Sequence, residues 1–281
     1  MIILIEASTC IQCERCIKVC PSEVFVKSKA DILGIQNLEY CIKCGHCVAI
    51  CPTNAVIHDA FPENKIHSFN RKNLPTSDQL MLLLKSRRSR RIFTKEPIPE
   101  FLIDQILDAA HRAPTASNSQ RVFFKVFTDP KDLQLISDYT METFSKIARF
   151  LNFPLIKPFL KLFAPEVSKY VSGFKKMEDE YQAGKDIILR GATAVILIYT
   201  SKNQYFGCAD ANLAYQNGSL MAETLGIGQF YTGFVLSALA QDKKGKLSKL
   251  LGIKGSIHAG MALGVPELQF SKYIDRKDVV R

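Results

Sequence analysis

Eight of the nine cysteines fall into two copies of one spacing, Cys10-x2-Cys13-x2-Cys16-x3-Cys20-Pro21 and Cys41-x2-Cys44-x2-Cys47-x3-Cys51-Pro52. A cubane of iron and sulfide needs four thiolates arranged tetrahedrally around it. Three cysteines at i, i+3 and i+6 on one looping segment can wrap three corners of a cube, and the fourth must come from elsewhere. In a doubled run of this kind, the cysteine before proline ligates the other cluster. That assigns Cys10, Cys13, Cys16 and Cys51 to one cluster, and Cys41, Cys44, Cys47 and Cys20 to the second. Each half is too small to bury a core of its own, so the metal is expected to staple the halves together.

The doubled run resembles that of bacterial-type ferredoxins with two [4Fe-4S] clusters. It implies traffic in single electrons. Zinc and disulfides are the alternatives. A structural zinc site uses two cysteine pairs, not two quadruplets at this tighter spacing. A disulfide framework suits a secreted chain, but Met1 leads straight into Ile2-Ile3-Leu4-Ile5, too short for the apolar core of a signal peptide and without a basic flank. The thiolates and the lack of a targeting signal predict a reducing cytoplasm. Cys208 stands alone and reads as a small hydrophobe. His46 is expected to face solvent or a backbone group, not iron.

At 281 residues the chain can hold two domains. Residues 1–60 read as the two-cluster unit, with short strands at 1–5 and 55–58. Residues 61–75 are polar and irregular and read as a linker. Residues 76–281 form the second domain. Thr76 or Ser77 is expected to cap a helix over 79–85. Pro99 opens another, with Leu102, Ile106, Ala109 or Ala110, and Ala113 on its buried face. Strands are predicted at 122–127 and, after 186–189, at 193–200. A long helix at 209–225 ends at Gly226, and further strands are expected at 228–235 and 257–265. Helices and strands are intermixed without regular βαβ alternation, so the fold class is α+β.

No nucleotide fingerprint is present. The run from Gly226 to Gly233 lacks the Gly-x-Gly-x-x-Gly spacing and follows a helix, not a strand. The segment Arg87-Arg88-Ser89-Arg90-Arg91-Ile92-Phe93 is more informative. Guanidiniums beside a hydroxyl suit a phosphate monoester, because arginine donates bidentate hydrogen bonds. Read alone, such a run is more often a solvated surface.

Its company matters. Arg87-Arg88-Ser89-x-Arg91-x-Phe93, Ala113-Pro114-Thr115-Ala116-Ser117-Asn118-Ser119-Gln120, Leu225-Gly226-Ile227-Gly228-x3-Thr232-Gly233 and Ala262-Leu263-Gly264-Val265-Pro266 occur in that order. This series resembles the FMN-dependent nitroreductase family, specifically members carrying an N-terminal ferredoxin domain. The resemblance implies an FMN-binding α+β domain that dimerises with flavin at the subunit interface. It implies that Arg87, Arg88, Ser89 and Arg91 hold the FMN phosphate and ribityl chain, joined by Arg276 from downstream. By the same likeness Pro114, Thr115, Asn118 and Gln120 line the flavin ring, and Thr232 and Gly233 present backbone N–H groups near flavin N5. Gly264-Val265-Pro266 stands where the family has a Gly-Tyr-Pro-like segment. Residues 139–185 depart most: a long, apolar and basic insertion, either a lid over the flavin or extra dimer packing.

The formal charge of +10 counts the cysteines as neutral. Two cubanes on eight thiolates bring about −4, and a flavin phosphate up to about −2. The loaded protein then sits near +4, ordinary for a soluble protein, and no nucleic-acid motif is present. The apolar stretch 147–164 carries Arg149, Lys157 and Lys161 and is broken by Pro154 and Pro158, so it is no transmembrane span.

The implied activity is that of a ferredoxin-linked FMN oxidoreductase. Electrons would come from a ferredoxin-like one-electron donor or NAD(P)H and leave to a small organic acceptor. A relay or redox sensor without catalysis, and a reductase for another class such as halogenated aromatics, are the alternatives. No residue stands out as a general acid.

Overall fold

The computed structural model describes residues 1–28, 32–151, 153–154 and 165–280. The chain separates into two units. Met1–Pro75 groups with Ala116–Ser119, and Thr76–Thr115 groups with Gln120–Arg281.

In the N-terminal unit the cysteine repeat extends to the backbone. Its elements are β1 (Ile3–Ile5), α1 (Arg15–Val19), β2 (Phe25–Lys27), β3 (Leu33–Ile35), α2 (His46–Ile50) and β4 (Val56–His58). Helix α2 starts 31 residues after α1 (46 − 15), the same offset that separates Cys41 from Cys10. β1 pairs antiparallel with β4, and β2 with β3. Each half therefore completes a sheet only with a strand of the other. A shared core of Ile3, Val24, Phe25, Leu33, Val48 and Val56 sits between the buried Cys16 and Cys47.

The repeat reaches single dihedrals. Gln12 and Lys43 have φ of 55° and 52°, Glu14 and Gly45 59° and 74°, Glu23 and Asn54 50° and 55°. A non-glycine residue in this left-handed region costs roughly 1–2 kcal/mol. That four side chains with no local preference for it adopt it at matched positions ties the strain to the turns that gather the sulfurs.

The second unit contains α3 (Ser77–Ser86), α4 (Glu100–His111), β5 (Val122–Phe127), α5 (Pro130–Leu151), α6 (Pro165–Gln182), β6 (Ala194–Thr200), α7 (Gly207–Thr224), β7 (Gly228–Tyr231), α8 (Gly233–Gln241), α9 (Lys246–Leu250) and β8 (Ser256–Gly264). The sheet order is β5-β6-β8-β7, every pair antiparallel. Its two faces feed separate cores. Val195, Leu197, Phe230 and Ala262 pack with Ile136, Met141 and Phe144 of α5 and Val235 and Ala238 of α8. Ala194, Ile196, Ile198, Met261 and Leu263 pack with Ile103, Ile106 and Ala110 of α4 and Ala211, Ala214 and Ala222 of α7. Coverage on both faces explains why 194–200 reads as an unbroken apolar run and not as alternation. Gly218 lets α7 approach α4: a Cβ there would lie 3.3 Å from the Ala110 Cβ and 3.2 Å from the Met261 methyl.

Several expectations are adjusted. α3 begins with a full capping box, Thr76 Oγ1 accepting from Gln79 N and Gln79 Oε1 accepting from Thr76 N. The buried face of α4 runs through Ile103, with Leu102 only half-buried. The strand expected over 228–235 ends at Tyr231, and Thr232 caps α8 instead. Gly233-Phe-Val-Leu-Ser-Ala-Leu-Ala is apolar on nearly every side, and such a run cannot be told from a buried strand by periodicity. Residues 139–151 are the end of α5, which starts earlier, at Pro130, and buries Ile136, Thr140, Met141, Phe144 and Ala148 at helical spacing. Phe174 of α6 meets Phe144 at 5.3 Å between ring centroids. Most of the doubtful stretch 147–164, residues 152 and 155–164, lies outside the described residues.

Arg90, one of the basic cluster, is buried. Its Nη2 donates to Glu223 Oε1 at 2.8 Å and its Nη1 to Gln269 Oε1 at 2.7 Å and to the Leu268 carbonyl at 3.3 Å, while its backbone N–H donates to the Gln229 carbonyl. Removing one partner of a buried ion pair strands the other. Glu223→Ala is expected to lower stability by about 3–5 kcal/mol, and Arg90→Met with Glu223→Met together to recover most of it. Chemical denaturation of the two variants checks this.

Candidate cluster and flavin sites

The cysteines of the two runs line two cavities of like size. One is lined by Cys20, Cys41, Cys44 and Cys47 with Pro21, Val24, Phe25, His46 and His58. The other is lined by Cys10, Cys13, Cys16 and Cys51 with Ile5, Leu33, Thr53 and Val56. In each, three cysteines of one run meet the pre-proline cysteine of the other. No cysteine is in a disulfide. Among the described residues no three His, Cys, Asp or Glu side chains converge as one metal ion would require. A zinc ion bonds sulfur at about 2.3 Å and so needs its thiolates nearly touching. Four thiols lining one cavity without converging on a single point suit a polynuclear cluster.

Backbone N–H groups point at the sulfurs in a matched way. Val24 N donates to Cys20 Sγ at 3.4 Å and Ala55 N to Cys51 Sγ at 3.2 Å, each from four residues on. Lys43 N donates to Cys41 Sγ at 3.4 Å. Burial pushes the Cys47 thiol up to about 11 and the Cys16 thiol in the same direction. Burial acts upward on Cys51 too, but the N–H groups of Thr53, Val56 and Ala55 and the Thr53 hydroxyl outweigh it and hold that thiol below its ordinary value. Such donors stabilise thiolate, the form that binds iron.

A few of the residues expected at the flavin lie near β7. Arg87 and Ser89 are half-buried just past the end of α3, and Arg91 is exposed. Arg88 folds back, its Nη1 donating to the Lys85 carbonyl at 2.7 Å. The Arg91 guanidinium stands 5.7 Å from the Phe230 ring centre. Burial pushes Tyr215 up to about 12, against the pull of Arg87 and Arg91 nearby. The Tyr215 hydroxyl donates to Gln229 Oε1 at 2.7 Å. The C-terminal segment follows the same edge: Glu267 N donates to the Ile92 carbonyl, and Lys85 stands 5.2 Å over the Tyr273 ring. Arg276 follows three residues later, exposed.

Two buried polar groups here lack partners: the Gln229 side-chain N–H2 and the Thr232 hydroxyl. Thr232 N donates to the Gly260 carbonyl, which removes one of the two anticipated N–H donors. Gly233 opens α8 on the surface, where a Cβ would meet nothing within 4 Å. The guanidiniums of Arg87 and Arg91 near Tyr215, and the unpartnered polar groups of Gln229 and Thr232 before α8, have the chemistry to meet a phosphate and the polar edge of a ring.

The remaining anticipated residues have contacts of their own. Thr115 and Gln120 share a small hollow with Ala113, Val122 and Ala214, and Gln120 N donates to Thr115 Oγ1 at 2.9 Å. Pro114 is exposed. Asn118 belongs to the N-terminal unit, where its Nδ2 donates to the carbonyls of Ile42 and Lys43 at 3.2 and 2.7 Å. A separate cavity of about 910 Å³, lined among others by Cys208, Lys243, Lys249 and His258, includes none of the anticipated flavin residues. The sequence reading did not single out Gln229, Tyr215, Glu223 or His58. The one legible signal was Gln229 itself, a polar residue inside an apolar strand.

Residues 84–265 match the nitroreductase family and residues 2–67 a 4Fe-4S dicluster domain. The chain belongs to the nitroreductase family. An NADPH-dependent oxidoreductase of Staphylococcus saprophyticus is 25% identical over 193 residues, 68% of this chain and 66% of that protein. An NADH dehydrogenase of Thermus thermophilus is 47% identical over 57 residues, 20% of this chain and 27% of that protein. The chain thus spans just under two thirds of the first relative and about a quarter of the second. Among solved structures, an FMN-bound nitroreductase of Desulfitobacterium hafniense is 18% identical with a TM-score of 0.54, covering 72% of this chain and 96% of that one. One with bound FMN from Bacteroides fragilis is 17% identical with a TM-score of 0.53, covering 72% and 98%. These likenesses establish the nitroreductase-like fold. Among the described residues, no helix of this nitroreductase-family chain is long and apolar enough to cross a membrane.

The unpartnered Thr232 hydroxyl carries a desolvation penalty. In flavin-free protein, Thr232→Val is expected to raise stability by about 1 kcal/mol, read by thermal denaturation.

Proposed function

We propose that the chain is an oxidoreductase in which two [4Fe-4S] clusters take single electrons and pass them to FMN, which reduces a small organic acceptor. Cys10, Cys13, Cys16 and Cys51 hold one cluster, and Cys41, Cys44, Cys47 and Cys20 the other. The observation that carries this reading is the crossing of Cys20 and Cys51, each to the cavity lined by the opposite run. FMN, when bound, joins one-electron supply to two-electron delivery.

In this reading Arg87, Arg91 and Arg276 hold the phosphate and Ser89 adds a neutral donor. Gln229, Thr232 and Gly233 meet the ring edge. Arg90 is a brace: its guanidinium is spent on Glu223 and the C-terminal segment that carries Arg276. The active form is a homodimer with flavin at the interface, in a reducing cytoplasm. The exposed Leu80, Met81, Leu82 and Leu84 of α3 support an apolar contact with a second copy. The donor is a ferredoxin-like protein or NAD(P)H, and the assay compares them directly.

Anaerobically purified protein is expected to hold about eight irons and eight acid-labile sulfides per chain. Cys51→Ser is expected to cost the cluster held by Cys10, Cys13 and Cys16, with FMN retained and reduction by reduced ferredoxin slowed. Stoichiometric zinc without sulfide would sink the assignment.

Arg87→Ala is expected to remove a charge-assisted contact of about 1.5–3 kcal/mol and weaken FMN binding roughly tenfold or more, and Arg276→Ala likewise. Flavin titration of the double variant is the check. Unchanged occupancy would misplace the phosphate.

A further inference from the structure

The two halves of the N-terminal unit match closely, so a departure from the repeat at a sulfur has meaning. His58 is one. It ends β4 and is 3% exposed, and its Nε2 lies 3.7 Å from Cys41 Sγ. The position 31 residues earlier is Lys27, whose ammonium is tied to Glu14 at 2.6 Å. Among the described residues lining the cavity of Cys10, Cys13, Cys16 and Cys51, none is a histidine.

The hydrogen on Nε2 follows from the opposite side of the ring. Ala60 N–H donates to Nδ1 at 3.1 Å. A neutral imidazole that accepts at Nδ1 carries its hydrogen at Nε2. Asp59 Oδ1 also lies 3.2 Å from Nδ1, so a protonated ring turns Nδ1–H to that carboxylate and keeps a hydrogen on Nε2. Both states aim Nε2–H at the sulfur. The remaining neutral tautomer would turn a bare Nε2 lone pair toward the Cys41 thiolate, which repels it. Phe61 packs edge-on against the ring at 4.9 Å, and β1–β4 pairing sets His58 opposite Ile3. The imidazole is therefore held in place.

We propose that His58 donates a hydrogen bond to the Cys41 thiolate and raises the reduction potential of the cluster held by Cys20, Cys41, Cys44 and Cys47 above that of its twin. A donor to a ligating sulfur draws charge from the cluster and favours the state with one more electron. Cys41 receives two donors, Lys43 N–H and His58 Nε2–H, while in the twin the Thr53 hydroxyl lies 3.8 Å from Cys51 Sγ; the imidazole is the ring donor that the twin lacks, and it gives the pair a direction. His58 is a positioning residue, and the inference rests on the two-cluster reading above.

The test is an anaerobic redox titration of full-length protein followed by electron paramagnetic resonance, with iron and sulfide measured on each sample. In His58→Phe, one of the two reduction steps is expected to fall by about tenfold in its equilibrium constant, ~59 mV for one electron. The other step stays in place. His58→Gln, which keeps an N–H donor, is expected to recover most of the shift. Eight irons with both steps unmoved, or both moved together, overturns the role of His58 alone. About four irons in the wild type overturns the two-cluster reading itself. Where His58→Phe loses iron, a His46→Gln protein labelled with ¹⁵N-histidine decides. A hyperfine coupling between a reduced cluster and an imidazole nitrogen supports the bond, and its absence overturns it.

Discussion

The N-terminal unit depends on exchange between its halves. β1 needs β4, β2 needs β3, and each cavity draws its fourth thiol from the opposite run. Two-stranded sheets of three residues each have little stability of their own, and the hydrophobic core is eight residues with two cysteines among them. The shared cavities and the strand pairing therefore join the same two halves. Each crossing cysteine, Cys20 and Cys51, is also the residue that ends a short helix and turns into extended backbone. The left-handed residues at 12, 14 and 23 and at 43, 45 and 54 are the conformational cost of bringing the sulfurs to two points.

The second unit has a different organising interaction. Its antiparallel sheet is covered on both faces, which leaves its polar groups few places to go. Arg90 takes one of them. By joining α7 through Glu223 to the segment at Leu268 and Gln269, it holds the C-terminal extension along the edge where the other arginines stand. A single buried guanidinium in a basic run thus ties α7 to the C-terminal segment.

The sequence was most legible where spacing carries chemistry. The doubled spacing already groups the cysteines into the two sets that line the two cavities. Strand 122–127 and the long helix before Gly226 were readable from pattern and a glycine at φ 71°. Pattern misleads where apolar residues occur on every side: 233–235, expected as the end of a strand, open a helix. It also fails where a partner is remote. Nothing near Arg90 separates it from Arg91, and only Glu223, far along the chain, makes one a buried brace and leaves the other exposed. Asn118, too, has partners remote in sequence, the Ile42 and Lys43 carbonyls, that its motif does not reveal.

The strand order has a kinetic consequence. β5–β6 pairing joins Val122 to Thr200, β6–β8 joins Ala194 to Leu263, and even β7–β8 joins Gly228 to Gly264. No hairpin nucleates this sheet. Every pairing must close a long loop before the contact repays the lost chain entropy, which slows folding relative to local helices. Meanwhile the Val-Ile-Leu-Ile run of β6, native only between two layers of helix, stands uncovered on the newly made chain. Such a segment is adhesive while it waits for its partners, so growth temperature and synthesis rate govern the yield of folded protein.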